Sequence, residues 1–376
     1  MQRGLGGAAM VEPIYVPVLS ARRDAWNAYA ELDVRVRRRI APLWTLVPHT
    51  GRERPRGGRA APAHDPDIAQ IALDRWLTPR TDQLIEAMDG MPGWVDPVHV
   101  EGSIHAAALS LWRLTTCSAL RLVTGPERDP ALQRCAADLA FLSGRGIGIR
   151  VLVDTPPDEP QRTELLTLVD RLCLPPSRMD LILDIGAVAA AAEASKRAIA
   201  ALDLLGALVP WRTLVLTSGA FPRLYDSPGA ESFSYVAPRH DRQLYGAVRA
   251  ARPAFPRTLV YGDYSTEHAF SANIPHVRAP GPPWGLMRYT APDGFLIGRV
   301  PTRGNDRVDR VRATAHWITE SEAFRGPEYS DAERWLSECA RGAGSKGSGN
   351  AETWIKVGHV QHMSFVVRRL VRGDRP

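Results

Sequence analysis

The chain has 376 residues, 44% of them hydrophobic, and 47 Lys and Arg against 41 Asp and Glu give a formal charge of +6. This excludes a disordered tail and leaves room for one large core or two ordinary ones. No apolar run approaches the roughly 20 residues that span a bilayer, and "MQRGLGGAAM" lacks the apolar stretch of a secretory signal, so a cytoplasmic protein without a membrane partner is expected.

Residues 1–13 carry no pattern that later segments need and are expected to be a disordered or mis-assigned leader, with Met10 as an alternative start. The positive charge is almost wholly Arg, since only Lys196, Lys346 and Lys356 are lysines. Together with abundant Ala this points to a GC-rich coding sequence, and nucleic-acid binding is not indicated. Cys117, Cys135, Cys173 and Cys339 are scattered without a C-x-x-C pair, which predicts buried free thiols and no zinc knuckle or disulfide framework.

In chain order, "IYVPVLS" (14–20) reads as a buried strand, and "DAWNAYAELDV" follows as an amphipathic helix with Trp26, Ala30 and Val34 on one face. "RIAPLWTLVP" (39–48) is a second strand, and 49–66 a Gly, Pro and Arg-rich loop. "DIAQIALDRW" and "TDQLIEAM" are two helices, the second started by Thr78 as N-cap with Pro79 behind it. "PVHVEGS" (97–103) is a third strand, followed by helices over 105–122 and 130–143. "GIGIRVLVD" (146–154), "MDLILDIG" (179–186), "RTLVLTSG" (212–219) and "RTLVYGDY" (257–264) are the fourth to seventh strands, separated by helical patterns. "WGLMRYT" (284–290) is the eighth candidate, with "FLIGRV" pairing beside it as an extension.

Eight strands, most followed by a helix, predict an α/β fold, a (β/α)8 TIM-type barrel over 14–372 with a helical and Gly-rich extension over about 322–372. The alternative is a doubly wound parallel sheet, which lacks support because no G-x-G-x-x-G turn follows the first strand.

In such a barrel the chemistry gathers at the C-terminal ends of the strands. Those ends carry Arg22, Glu101, His105, Asp154, Asp184, Asp263, Tyr264, His268, Arg288 and Tyr289. Ring closure is expected to bring Glu101, Asp154, Asp184 and Asp263 to one rim, with His268, as catalytic candidates. Arg22, His105, Tyr264, Arg288 and Tyr289 are the candidate ligand contacts. Several carboxylates with a histidine suit a hard divalent cation such as Mg²⁺ or Mn²⁺, and a carboxylate pair suits acid–base chemistry. The competing reading is that Asp154 and Asp184 are N-caps of the helices that follow. His359 and His362, three apart on a helical pattern, suit ligand contact or simple packing of that helix on the barrel.

Several stretches together carry a resemblance: "YVPVLSARRDAWNAYAEL", "IAPLWTLVP", "YGDYSTEH", "RYT", "FRGPEYSDAERWL" and "TWIKVGHVQHMSFVVR", in order from about residue 14 to 370. They resemble the "beta protein" family of phage satellites, prophages and bacterial mobile islands. The resemblance implies a context: mobile-element cassettes for anti-phage defence by phage exclusion, with toxin-like killing balanced by protective partners. It implies no reaction. The family's adjacent histidine pair is departed from here: in "GHVQHM" only His362 carries over, with His359 as a near neighbour, and the family's Lys-rich turn and Glu after the first strand are replaced by Arg22, Arg23 and Asp24.

Two functions follow as expectations. One is an enzyme whose carboxylate and histidine rim, with a divalent cation, hydrolyses a phosphorylated or nucleotide-like substrate. The other is a non-catalytic barrel that senses a phage component or neutralises a toxin encoded by a neighbouring gene.

Overall fold

A computed structural model describes residues 13–49, 66–223, 234–274, 283–344, 347–374 and 376. The expected leader and most of the 49–66 loop lie outside these. Eight parallel strands close into a ring: β1 (Tyr15–Ser20), β2 (Leu43–Thr45), β3 (Pro92–Asp96), β4 (Ala119–Thr124), β5 (Ile147–Leu152), β6 (Met179–Ala187), β7 (Thr213–Gly219) and, after β8 (Ser234–Pro238), β9 (Leu259–Asp263). Pairing of Tyr15 opposite Tyr261 and Pro17 opposite Asp263 joins the last strand to the first. The (β/α)8 expectation therefore holds.

The membership of the ring differs from the expectation in three places, the third being the "WGLMRYT" segment described below. Residues 98–103 form a 3-10 turn, and the third strand lies just before them, at β3. The strand β4 falls where a helix was expected to continue to 122; the helix α4 (Ile104–Cys117) stops at Ser118, whose hydroxyl donates to the Leu114 carbonyl and accepts from the Leu120 N–H. That one side chain ends the helix and opens the strand.

The helices α1 (Arg23–Ala30), α2 (Val34–Arg37), α3 (Pro66–Met88), α5 (Pro130–Ser143), α6 (Glu159–Leu172), α7 (Ala191–Ala201) and α8 (His240–Ala251) accompany the barrel. Thr78 does not start a helix: α3 runs through Pro79 without a break. Asp158, not Asp154, caps α6, in a reciprocal capping box with Gln161. The four cysteines are free, but only Cys339 is buried; Cys117 and Cys173 are exposed.

Parallel strands are buried on both faces, so alternation of side chains sorts them into two cores. Val16, Val18, Leu43, Trp94, Val123, Ile182, Val215 and Val260 fill the barrel. Tyr15, Leu181, Leu183, Leu214, Leu216 and Tyr261 face the surrounding helices. Asp180 and Asp184 share the parity of Ile182 and point in; Asp263 shares the parity of Tyr261 and points out.

The "WGLMRYT" segment is a strand, β10 (Trp284–Thr290), but it does not join the barrel. With β11 (Gly294–Pro301) and β8 it makes a separate antiparallel sheet in the order β10-β11-β8. The pairing of "FLIGRV" beside it is as expected. Beyond it come α9 (Arg307–Thr319), α10 (Asp331–Arg341) and α11 (Ala351–Val371), which continues as helix through "MSFVVRR". Helix α11 meets β10 through Gln361: its amide donates to the Thr290 carbonyl at 3.0 Å and accepts from the Thr290 N–H at 2.7 Å. No described helix is long and apolar enough to cross a membrane.

Candidate functional site

The mouth of the barrel is where the chemistry was expected, and it is full. Asp184 accepts from Arg150 Nε at 2.9 Å and Nη2 at 2.5 Å, and from the Tyr264 hydroxyl at 2.5 Å. Asp96, which the sequence reading missed, accepts from Arg150 Nη1 at 2.7 Å and Arg128 Nη2 at 3.1 Å. A guanidinium therefore sits between the two carboxylates where a cation would have to bind. Among the described residues no three His, Cys, Asp or Glu side chains come together as metal ligands would. Tyr264 and Ala269 extend the inner core upward and plug the opening. Arg22 fastens that segment by donating to the carbonyls of Ser271, at 3.1 Å, and Ile274, and His99 Nε2 lies 2.9 Å from Asn273 Oδ1.

The other rim candidates are dispersed. Glu101 stands on the 3-10 turn, where its carboxylate accepts from the Asp129 N–H and lies 3.8 Å from Arg128. Asp154 is exposed, and its backbone carbonyl accepts from Arg197. His105 is exposed on the first turn of α4. His268 is partly exposed, its Nδ1 accepting from the Phe270 N–H at 3.3 Å. Tyr289 turns towards the C-terminal helices, with its hydroxyl 3.3 Å from Glu333. A hollow lined by Pro13, Trp211, Arg212 and Arg257 opens at the N-terminal ends of β7 and β9, and there Arg212 is already bound to Asp180.

What the structure does bring together lies outside the barrel wall, between β1, β9, β10 and α11. Asp263 is its anchor. Its Oδ1 accepts from the Tyr15 hydroxyl at 2.5 Å and the Ser265 N–H at 2.8 Å; its Oδ2 lies 2.8 Å from both the Tyr261 hydroxyl and His362 Nε2. Behind it, Arg239 Nη2 donates to Asp241 at 2.8 Å and to the Tyr261 hydroxyl at 2.9 Å. The other ring nitrogen of His362 lies 2.8 Å from the Thr290 hydroxyl. Burial alone raises a carboxyl, but the His362 charge and hydrogen bond, with Arg239 and Tyr15, outweigh it and hold Asp263 below the ordinary carboxylate value. Burial and the neighbouring carboxylates push Tyr15 and Tyr261 well up, so both stay protonated donors.

This network is not fully paired, since Arg239 Nε and Nη1 and Asp241 Oδ1 have no hydrogen-bond partner among the described residues, and next to it lies a second group of unpartnered atoms. Ser265 adopts a left-handed backbone, φ 52°, on the turn after β9, and its hydroxyl lies 2.8 Å from His359 Nδ1. His359 Nε2, the Thr266 hydroxyl, and Nε and Nη1 of Arg288 are buried with no hydrogen-bond partner among the described residues. His359 and Thr266 are 0% exposed and Arg288 8%. A β-carbon added at Gly358 would lie 3.1 Å from both Arg288 Cβ and the Thr266 hydroxyl oxygen, so the stem of Arg288 and the Thr266 hydroxyl pack on the helix turn that carries His359, while the Arg288 head stands over the Phe221 ring. Orphaned buried polar groups cost about 1–3 kcal/mol each, more when charged, and they are rare enough to need a reason.

Two acids border the cluster. Glu267 accepts from the Ser20 hydroxyl at 2.9 Å. Asp24, on the first turn of α1, is pushed up by burial and then by the Glu267 charge. Burial likewise lowers Arg288, with Glu267 and Asp24 opposing. Arg288, His359 and His362 were legible as candidates and Asp24 only through the family likeness; Ser265, Thr266 and the supporting Tyr15, Arg239 and Asp241 were not. A polar "ST" pair directly after a buried strand was the signal available.

Burial, reinforced by Arg288 and His362 and opposed by Asp24, lowers His359 to about 3. The unfolded chain takes up that proton near pH 6.5, whereas the folded chain does not until about 3. This contribution to stability is therefore whole above about pH 6.5 and declines as the pH falls, by at most ~1.4 kcal/mol per pH unit. Thermal melts between pH 7 and pH 4 should show this slope, and His359→Gln should flatten it; an unchanged slope would mean that His359 is protonated in the folded chain.

No curated protein matches this chain. The sequence model of the Beta protein family matches residues 15–368, from the first barrel strand into the last helix, and the chain belongs to that family.

Proposed function

We propose that the protein binds a small anionic ligand at the Arg288, His359 and Thr266 cluster, as the sensing step of a mobile-element phage-exclusion cassette. The observation that carries this reading is the set of four unpartnered buried polar atoms on Arg288, Thr266 and His359, with the Arg288 stem and the Thr266 hydroxyl packed on the helix turn that carries His359. Their donors suit a carboxylate or phosphate facing Arg288, and Glu267 and Asp24 suit hydroxyl or amine groups on the same ligand. The sensing role takes its support from the family likeness, and the partner such a cassette calls for is a toxin or defence protein encoded nearby.

Ligand binding to the folded state alone stabilises it by RT ln(1 + [L]/Kd), about 2.7 kcal/mol at a hundredfold excess over Kd. Thermal melts of the full chain with inorganic phosphate, a sugar phosphate and a hydroxy-dicarboxylate test the reading. At least one should raise the transition in a saturable way; no saturable shift with any of the three sinks it.

A further inference from the structure

We infer that Ser265 and His359 are a nucleophile and its base, and that the chain hydrolyses a carboxylic ester whose acyl part carries the anionic group held by Arg288. This rests on the binding reading above and adds a reaction to it. The hydroxyl and ring nitrogen are already at 2.8 Å, the separation across which a general base takes a proton. Ser265 is held on both sides: its N–H is donated to Asp263, and its left-handed backbone sets the side chain on a sharp turn directly after a buried strand. A strained non-glycine residue of this kind persists only where its surroundings over-determine it.

The histidine is equally fixed. It stands one helix turn before His362, whose two ring nitrogens are engaged by Asp263 and Thr290. Burial keeps His359 neutral, with Nδ1 facing the serine hydroxyl and Nε2 left to carry the ring hydrogen; the same burial weakens it as a base, and the Asp24 charge opposes that. Of the neighbouring charges, that of Asp24 most favours the imidazolium that forms. The Thr266 hydroxyl and Nε and Nη1 of Arg288 are unpartnered, and the Thr266 hydroxyl and the Arg288 stem pack at Gly358, the residue before His359; in this proposal Arg288 holds the acyl anion and Thr266 donates to the developing oxyanion.

In the step itself, Ser265 Oγ bonds to the ester carbonyl carbon and its proton passes to His359 Nδ1. The bond to the alcohol oxygen breaks, and the departing alkoxide takes that proton. Water then attacks the acyl-serine and gives a proton to His359. The bond from carbon to Oγ breaks and the proton returns to Ser265. The balance is ester plus water to acid plus alcohol, with no oxidant or reductant.

A small fluorophosphonate applied to the full chain, followed by peptide mass spectrometry, tests the pair directly. Ser265 should be labelled, and His359→Gln should slow labelling at least ~100-fold, the scale of general-base assistance. In parallel, hydrolysis of a nitrophenyl hemisuccinate should exceed that of the neutral nitrophenyl acetate and should vanish in Ser265→Gly. That variant suits the left-handed backbone, so its loss of activity is not a loss of fold. Labelling elsewhere, no labelling, or hydrolysis undiminished in Ser265→Gly overturns the proposal. Saturable anion binding without labelling overturns the reaction and leaves the binding reading standing; labelling without anion binding overturns the binding reading.

Discussion

Asp263→Ala is expected to lower the stability of the folded chain by about 3–5 kcal/mol, the scale for breaking a buried charge network by removing one partner. Three side chains and one backbone N–H depend on this carboxylate: Tyr15, Tyr261, His362 and Ser265. None can turn to water, because the whole group is buried. Arg239 and Asp241 would remain, their own contact intact, but Tyr15 would be left without its acceptor. Asp263→Asn should fall between, since one oxygen can still take the Tyr15 and Ser265 donors while the amide faces His362. Urea denaturation reads the effect: the midpoint should fall with an unchanged slope, as for a loss of stability without a change in the surface exposed. The pH dependence has a defined sign. Asp263 is held below its unfolded value, so its contribution is present above about pH 4 and is lost as the pH falls below that. Asp263→Ala should therefore be less acid-sensitive than the natural chain in that range. A midpoint within about 0.5 kcal/mol of the natural protein, the scale of ordinary surface changes, would show that the network contributes nothing to the fold.

Arg288→Met is expected to act in opposite directions on stability and on binding. The guanidinium is buried with two nitrogens unpartnered, and replacing a poorly compensated buried charge by an apolar side chain of similar length commonly gains about 1–4 kcal/mol. Its stem already packs against Gly358 and its head stands over the Phe221 ring, a setting that accepts a thioether. The unliganded variant should melt higher than the natural chain, and the stabilisation by anions should disappear. A residue kept for the fold alone gives the reverse: a lower melting temperature with anion response retained. This contrast is the signature of stability surrendered for a ligand site.

The barrel was legible because its strands are apolar and alternate with helical patterns, and because eight of them sufficed. Two errors cancelled in reaching that count. The strand β4 was hidden because α4 and β4 form one apolar run, "AAALSLWRLTTCSALRLVT", in which only Ser118 marks the change. "WGLMRYT" took its place, since an apolar segment does not announce whether its neighbours run parallel or antiparallel. The strand β3 is short and begins with Pro-Gly, which reads as a turn.

The site was harder to read, for a geometric reason. A strand buried on both faces gives no amphipathic signal for which face a given Asp takes. Asp184 and Asp263 look alike in sequence, yet one enters the barrel mouth and the other leaves through the wall. Partners such as Tyr15 and His362 are 248 and 99 residues away from Asp263, beyond any local pattern. Ser265 and Thr266 were in plain view in "GDYSTEH" but carried no motif.

The pairing of Gln361 with Thr290 has a consequence for self-association. A strand at the border of a sheet offers its backbone to any other strand that approaches. Here a side-chain amide occupies both backbone groups of Thr290 on β10, so at that residue the last helix does the work of a fourth strand of the β10-β11-β8 sheet without extending it. A chain shortened before that helix would leave the Thr290 backbone groups without their partner and that border of the sheet open to edge-to-edge association.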